Sequence, residues 1–172
     1  MKNLRKKIED RMKTVANAIA SHEKELGFAD IVVASLSGDY RLLGADDYEI
    51  MIKEALEISS FGDNVFVKIP VVDTKGNFNG KIIKELAQNK VKLNITAIFT
   101  IDQVKDVLSV INKDSETIIS IFAGRIADAG VNPVPIVKEA IELSKDYIGA
   151  EILWASCREL YSIIEADEIG CH

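Results

Sequence analysis

Apolar and polar positions follow two different periods along most of this chain. From residue 65 onward, short apolar runs begin near Val65, Lys92, Thr117 and Glu151. Residues 80–89, 100–112, 134–147 and 158–167 instead have apolar residues every three or four positions. Short apolar runs indicate buried strands, and the longer spacing indicates amphipathic helices. Strands that alternate with helices in this way predict βα units on a parallel sheet.

The first 62 residues are less regular. Residues 2–26 predict one long helix, because apolar residues recur at helical spacing until Gly27. Residues 28–36 predict a short buried strand, 38–47 a loop or a short strand at 40–43, and 46–62 a helix with an acidic start. A chain of 172 residues is expected to form one domain. We expect five or six strands, with an atypical segment at 1–45 and a regular βα portion at 46–172.

Polar residues interrupt four of the predicted strands at positions that should be buried. In "VFVKIPV" the residues Val65, Val67 and Ile69 fall on one face, and Lys68 falls on the other. The other strands carry Asn94 with Thr96, then Ser120 followed by Arg125, and finally Ser156 followed by Arg158. Burying an unpaired amide or hydroxyl costs about 1–3 kcal/mol. Polar residues on successive strands therefore predict a shared pocket.

A lysine in such a pocket is suited to one kind of chemistry. Burial and nearby cations lower the pKa of a lysine amine from about 10.4, and a free amine attacks a ketone to form a Schiff base. Two arginines at the mouth suit a phosphate group. Taken singly, Lys68 fits an edge position, Asn94 and Thr96 fit satisfied core groups, and "FAGRIADAG" at 122–130 fits an ordinary βα loop. Their occurrence in four successive units favours a site.

Charge and composition exclude several other classes of function. The formal net charge of −6 argues against a nucleic-acid-binding surface, which needs a basic face. No run approaches the roughly 18 apolar residues of a membrane-spanning helix, and the basic start is not followed by the apolar run of a signal peptide. Two cysteines and two histidines offer neither a disulfide framework nor a metal site. We expect a cytoplasmic protein without a bound metal.

The four strand motifs together resemble the transaldolase family, including its fructose-6-phosphate-aldolase-like members, over about residues 46–172. "NVFVKIPV" is similar to the strand that carries the family's Schiff-base lysine, and "KLNITAIFT" to the next strand, which lines the pocket. "ISIFAGRIAD" is similar to the serine strand with its Gly-Arg-Ile turn, and "LWASCREL" to the phosphate-binding segment. The resemblance implies catalytic roles for Lys68, Asn94 and Thr96. It implies substrate or phosphate binding by Ser120, Arg125, Ser156 and Arg158.

The resemblance also implies a fold and an activity. The fold is a TIM-type (βα)8 barrel, here incomplete with five or six βα units. The activity is class I aldol cleavage or transfer of a dihydroxyacetone unit from a ketose phosphate such as fructose 6-phosphate, in the pentose phosphate pathway. No cofactor is expected, because the iminium itself is the electron sink.

Two further expectations follow from the incomplete barrel. An open edge of parallel strands is prone to associate, so we expect a homo-oligomer. We find no match to the aspartate of the family's first strand, the Thr-Asn-Pro segment of its second strand or the glutamate of its third. The alternative is therefore an impaired or partial barrel that binds sugar phosphates or another chain.

Overall fold

A parallel sheet of five strands forms the centre of the molecule. The computed structural model describes residues 32–35, as backbone, and residues 47–172. The strands are β1 (Val32–Ser35), β2 (Val65–Pro70), β3 (Leu93–Ile98), β4 (Thr117–Ile121) and β5 (Ala150–Trp154). They lie side by side in chain order, and every neighbouring pair is parallel. The strands predicted from the apolar runs are confirmed.

Six helices connect or follow these strands. They are α1 (Tyr48–Ser59), α2 (Gly80–Gln88), α3 (Ile101–Val110), α4 (Ala123–Asp128), α5 (Val134–Ser144) and α6 (Leu160–Glu168). The helices predicted after residue 46 are confirmed. The segment at 122–130 is more than a loop, since it contains α4. The predicted helix at 2–26 and the possible strand at 40–43 lie outside the described residues.

Local signals in the sequence fix where the helices begin. The Asp47 carboxylate caps α1 by accepting a hydrogen bond of 3.0 Å from the Ile50 amide. Thr100 and Gln103 form a capping box at the start of α3, each side chain bonding to the backbone of the other residue. Pro135 lies in the first turn of α5, where its missing N–H is not needed.

One apolar core lies between the sheet and the helices. Alternate strand residues face this core and are fully buried: Val67, Ile69, Leu93, Ile95, Ile119, Ile121 and Ile152. They pack against apolar helix residues, among them Met51, Ile83, Leu86, Val104 and Val107. Burying an aliphatic side chain contributes about 1.5–3 kcal/mol, so this face holds the sheet and helices together. The opposite face of the sheet is left for the polar residues.

The sheet does not close into a barrel within the described part of the chain, because neither outer strand pairs with a further strand. Here β1 pairs only with β2, and β5 pairs only with β4. The last residue of the chain lies beside the outer edge of β5, where the His172 amide donates to the Ile152 carbonyl at 3.1 Å. Consecutive parallel strands joined by helices have the topology of part of a (βα)8 barrel.

Among the described helices, none has the length and apolar character needed to cross a membrane.

Candidate active site

A row of polar side chains crosses the face of the sheet that points away from the apolar core. Lys68 on β2 pairs in register with Asn94 on β3, and Pro70 pairs with Thr96. Adjacent parallel strands are about 4.8 Å apart, and paired residues point to the same side. Ser120 on β4 belongs to the same face, since its neighbours Ile119 and Ile121 point into the core. The structure thus brings together four of the seven predicted site residues.

Asn94 and Ser120 are joined by a direct hydrogen bond. The Ser120 hydroxyl donates to the Asn94 amide oxygen at 2.7 Å, and both residues are almost fully buried. This bond fixes the rotamer of the amide beside Lys68. The Asn94 amide nitrogen therefore remains as a donor toward the pocket.

Thr96 is buried to 2% exposure, and its hydroxyl has no hydrogen-bond partner among the described residues. A β-bulge sets its position. Ile95 pairs with Ile119 and Ile98 pairs with Ile121, so Thr96 and Ala97 together lie opposite Ser120. Ala97 has a φ of 60°, a conformation that costs a non-glycine residue about 1 kcal/mol or more. The bulge that positions Thr96 therefore requires an unfavourable backbone conformation at Ala97.

Lys68 is half-buried, in contrast to the fully buried polar residues beside it. It makes no ion pair with any other residue that the structure describes. Phe66 and Pro70 flank it on the same face and are buried. An amine placed among amide and hydroxyl groups, with a side chain that reaches solvent, is available to a carbonyl compound that enters the pocket.

The loop after β2 is held close to the lysine strand by its own polar residues. Asp73 accepts hydrogen bonds of 2.8 Å from the amides of Lys75 and Asn77 and from the Asn77 side chain. These bonds hold the pKa of Asp73 below its usual value. Asn79 is buried, and its side chain donates to the Pro70 carbonyl at 3.0 Å. The end of β2 is thereby fixed two residues after Lys68.

The segment after β5 carries two of the three remaining predicted residues, Ser156 and Arg158. Ser156 lies beyond the strand, which ends at Trp154, so its expected place within the strand is wrong. It has a φ of 63° and packs its backbone against α4. A Cβ added at Gly124 would lie 1.7 Å from the Ser156 carbonyl oxygen. Only glycine allows this contact, which brings Ser156 and Arg158 to the start of α4.

Arg125 and Arg158 are both exposed near this contact. The Arg125 guanidinium lies 5.4 Å from the centre of the Phe122 ring, at cation–π distance. Arg158 donates from Nε and Nη2 to one oxygen of Asp128, at 3.0 and 2.6 Å. This hydrogen bond and the charge of Asp128 raise the pKa of the Arg158 guanidinium.

Asp128 is a residue of this cluster that the sequence analysis missed. It is separated from Arg158 by 30 residues, so no local spacing indicated the pair. The only available signal was its position three residues after Arg125 in "GRIAD", which places both on one side of a helix.

Comparison with known proteins agrees with this arrangement. The family model for transaldolase/fructose-6-phosphate aldolase matches residues 8–172, so the match begins further toward the N-terminus than the resemblance at about 46. The chain belongs to this family. The open sheet is therefore a partial TIM-type barrel, as the resemblance predicted.

Curated relatives support the same family. A probable transaldolase from Caldicellulosiruptor saccharolyticus is 34% identical over 71% of this chain and 54% of its own length. One from Thermoanaerobacter sp. is 30% identical over 74% of this chain and 56% of its own. One from Streptococcus equi subsp. zooepidemicus is 33% identical over 83% of this chain and 62% of its own. This chain thus spans little more than half the length of the curated relatives that it matches.

Proposed function

We propose that this protein is a transaldolase-type enzyme that uses Lys68 as a Schiff-base nucleophile on a ketose phosphate such as fructose 6-phosphate. One observation carries the proposal. Lys68 lies in register with Asn94, on the same face as the bonded Asn94–Ser120 pair and the unpaired Thr96 hydroxyl. The chain belongs to the transaldolase family, and its lysine amine is accessible among neutral hydrogen-bond donors and acceptors that the fold already holds in place. Such an amine is suited to carbonyl chemistry.

The reaction begins with attack of the Lys68 amine on the C2 ketone, and loss of water gives an iminium. The C3–C4 bond then breaks. Its electron pair moves into the iminium to give an enamine, and the C4 hydroxyl passes its proton to a water in the site as C4 becomes the aldehyde of glyceraldehyde 3-phosphate. The enamine carbon adds to an acceptor aldehyde or takes up a proton. Water then hydrolyses the iminium and restores the amine.

The neighbouring side chains divide the remaining tasks. The Thr96 hydroxyl has no partner among the described residues, and during the reaction it bonds the water that leaves on iminium formation and returns for hydrolysis. The Asn94 amide donates to a substrate hydroxyl, in an orientation fixed by Ser120. Ser156, Arg125 and Arg158 bind the phosphate, which suits two guanidinium groups and a hydroxyl at one edge of the sheet.

The biological setting is part of the same proposal. A ketose phosphate donor places the enzyme in carbohydrate metabolism, in the pentose phosphate pathway. A phosphorylated sugar is a metabolite of the cytoplasm, and the low cysteine content is consistent with that compartment.

An assay of glyceraldehyde 3-phosphate release from fructose 6-phosphate tests the activity. Lys68→Arg keeps the positive charge but cannot form the iminium, so turnover should fall by about 10⁴-fold or more. Lys92→Arg is the matched control, because Lys92 lies immediately before β3 and pairs with Glu116 at 2.7 Å, away from the polar row. Equal turnover in Lys68→Arg and the wild type would reject the proposal.

The second candidate is a partial barrel that binds sugar phosphates without turning them over. The observation that favours it is the five-stranded sheet, which does not close into a barrel within the described residues. In that case fructose 6-phosphate binds to the wild type, but no aldehyde is released in the assay above.

A further inference from the structure

We propose that Asp128 is the positioning residue that holds Arg158 for phosphate binding, and so sets the preference for phosphorylated substrates. This inference rests on the proposed function. It concerns a residue that does not itself touch the substrate but acts through the guanidinium that does.

The bonds to Asp128 leave part of the Arg158 guanidinium free to donate hydrogen bonds to a phosphate. Nε and one Nη2 proton bond to a single oxygen of Asp128. A guanidinium has five N–H donors, so Nη1 and the second Nη2 proton remain for a phosphate oxygen. A bidentate contact needs such an adjacent pair of donors held in one plane.

The surroundings of Arg158 give it no other hydrogen-bonded anchor among the described residues. Its side chain is 47% exposed, and that of Asp128 is 53% exposed. Its Cγ lies 3.4 Å from the place where a Gly124 Cβ would stand, so the base of the side chain packs against the start of α4 while Asp128 holds its guanidinium. Without Asp128 the guanidinium would sample several rotamers, and binding would have to restrict them.

The second cation of the cluster is oriented from the same helix. Arg125 precedes Asp128 by three residues on α4 and lies over the Phe122 ring. The three side chains Arg125, Asp128 and Arg158 carry a net charge of +1. A phosphate dianion therefore meets a positive cluster, although one carboxylate belongs to it.

Two substitutions separate positioning from simple charge repulsion. If Asp128 positions Arg158, Asp128→Ala should weaken binding of inorganic phosphate by about tenfold, the scale of one disturbed charge-assisted contact. Asp128→Asn keeps an acceptor oxygen for Arg158 and should weaken it by about threefold. If the carboxylate merely repelled phosphate, both variants would bind phosphate more tightly.

Isothermal titration calorimetry with inorganic phosphate, at low ionic strength, makes the measurement. Arg158→Ala provides the lower limit of affinity. Asp146→Ala is the matched control, because Asp146 pairs with Lys113 at 3.7 Å in the loops that precede β5 and β4, at the other end of these strands. Unchanged or tighter phosphate binding in Asp128→Ala, or no phosphate binding by the wild type, overturns the inference.

Kinetics add a readout that a purely structural defect would not give. In Asp128→Ala the KM for fructose 6-phosphate should rise by about tenfold with a much smaller change in kcat. Equal effects on KM and kcat would contradict a positioning role. Phosphate binding without turnover in the wild type would instead reject the Schiff-base proposal and leave the role of Asp128 supported.

Discussion

At the scale of single residues, the site contains a buried hydroxyl that is costly to the fold. Thr96 Oγ1 is inaccessible and has no partner among the described residues, and the same is true of Thr117 Oγ1. An unsatisfied buried polar group costs about 1–3 kcal/mol. The two threonines differ in position, because Thr96 faces the polar row and Thr117 shares the core-facing side of β4 with Ile119.

Thr96→Val should therefore stabilise the protein while it damages activity. Valine has nearly the same shape and removes the unpaired oxygen, so the free energy of unfolding should rise by about 1 kcal/mol. Turnover should fall by about 10²-fold, because valine cannot hydrogen-bond the reacting water. Urea unfolding and the fructose 6-phosphate assay give the two numbers. Thr117→Val is the control and should show the gain in stability with normal turnover.

The polar row itself was predictable from the sequence, but the bonds within it were not. Strand alternation alone predicted that Lys68 lies on the face of β2 opposite to that of Val67 and Ile69. It also put Asn94 and Thr96 on one face of β3. The register between strands decides which of these residues are neighbours, and the sequence carries no local signal for it. The Asn94–Ser120 bond, which joins residues 26 apart, therefore became visible only in the structure.

At the scale of elements, the junction between β5 and α4 organises the end of the site that we propose binds phosphate. The Gly124 amide donates to the Ala155 carbonyl at 3.3 Å, and the Ala155 amide donates to the Ile121 carbonyl at 2.8 Å. These bonds attach the segment 155–158 to the end of β4 and the start of α4. The approach is so close that a side chain at position 124 has no room.

Gly124→Ala should consequently destabilise the protein even though it places a better helix former in α4. Alanine gains about 1 kcal/mol of helix propensity over glycine. Its Cβ, however, would lie 1.7 Å from a backbone oxygen, which cannot be relieved by a side-chain rotation. Overpacking of this kind costs about 1–3 kcal/mol, and here it is the backbone that has to move.

Thermal or urea unfolding measures the effect of Gly124→Ala, and phosphate titration should show weaker binding as Ser156 and Arg158 move. Ala127→Ser adds one heavy atom to the exposed side of the same helix and should change neither property. A Gly124→Ala protein as stable as the wild type would show that residues 155–158 do not pack on α4 in this way.

Two features of these elements had no sequence signal that could be read in advance. The bulge in β3 puts Ala97 at a φ of 60°, where a glycine would have marked an unusual backbone. Helix α4 has only six residues, which is too short for a helical repeat to be recognised. In both cases tertiary contacts decide the local conformation.

At the scale of the whole molecule, α6 presents an apolar side to solvent. Leu160 is 73% exposed, Tyr161 59%, Ile163 55% and Ile164 45%. These positions lie on one side of α6. Four residues after the end of this helix, His172 bonds to the outer edge of β5. Apolar groups exposed together commonly mark an interface, so the homo-oligomer expected from the sequence stays our prediction.

Light scattering coupled to size-exclusion chromatography tests that prediction. The wild type should elute with more than one copy per particle, and Leu160→Asp combined with Ile163→Asp should shift it to a monomer. Ile148→Asp is the control, because Ile148 is 87% exposed but lies in the connection before β5. A wild type that is monomeric at assay concentrations contradicts the prediction.

The overall βα topology was predictable from periodicity, because every strand after residue 46, and every helix except α4, carries a clear apolar pattern. The sequence predicts five or six strands and does not decide between them, since residues 38–47 have no such repeat. The family match reinforces the topology, and the chain covers 62% of the longest-matched of the three relatives described above.

The central claim is that Lys68 is a nucleophile, and borohydride trapping tests it most directly. The folded protein is incubated with dihydroxyacetone, reduced, and digested for peptide mass spectrometry. We expect the mass of a reduced dihydroxyacetone adduct on Lys68, absent from Lys68→Ala and retained in Lys92→Ala. An unmodified Lys68 in a protein with native circular dichroism, or an adduct on another lysine, would contradict the Schiff-base account.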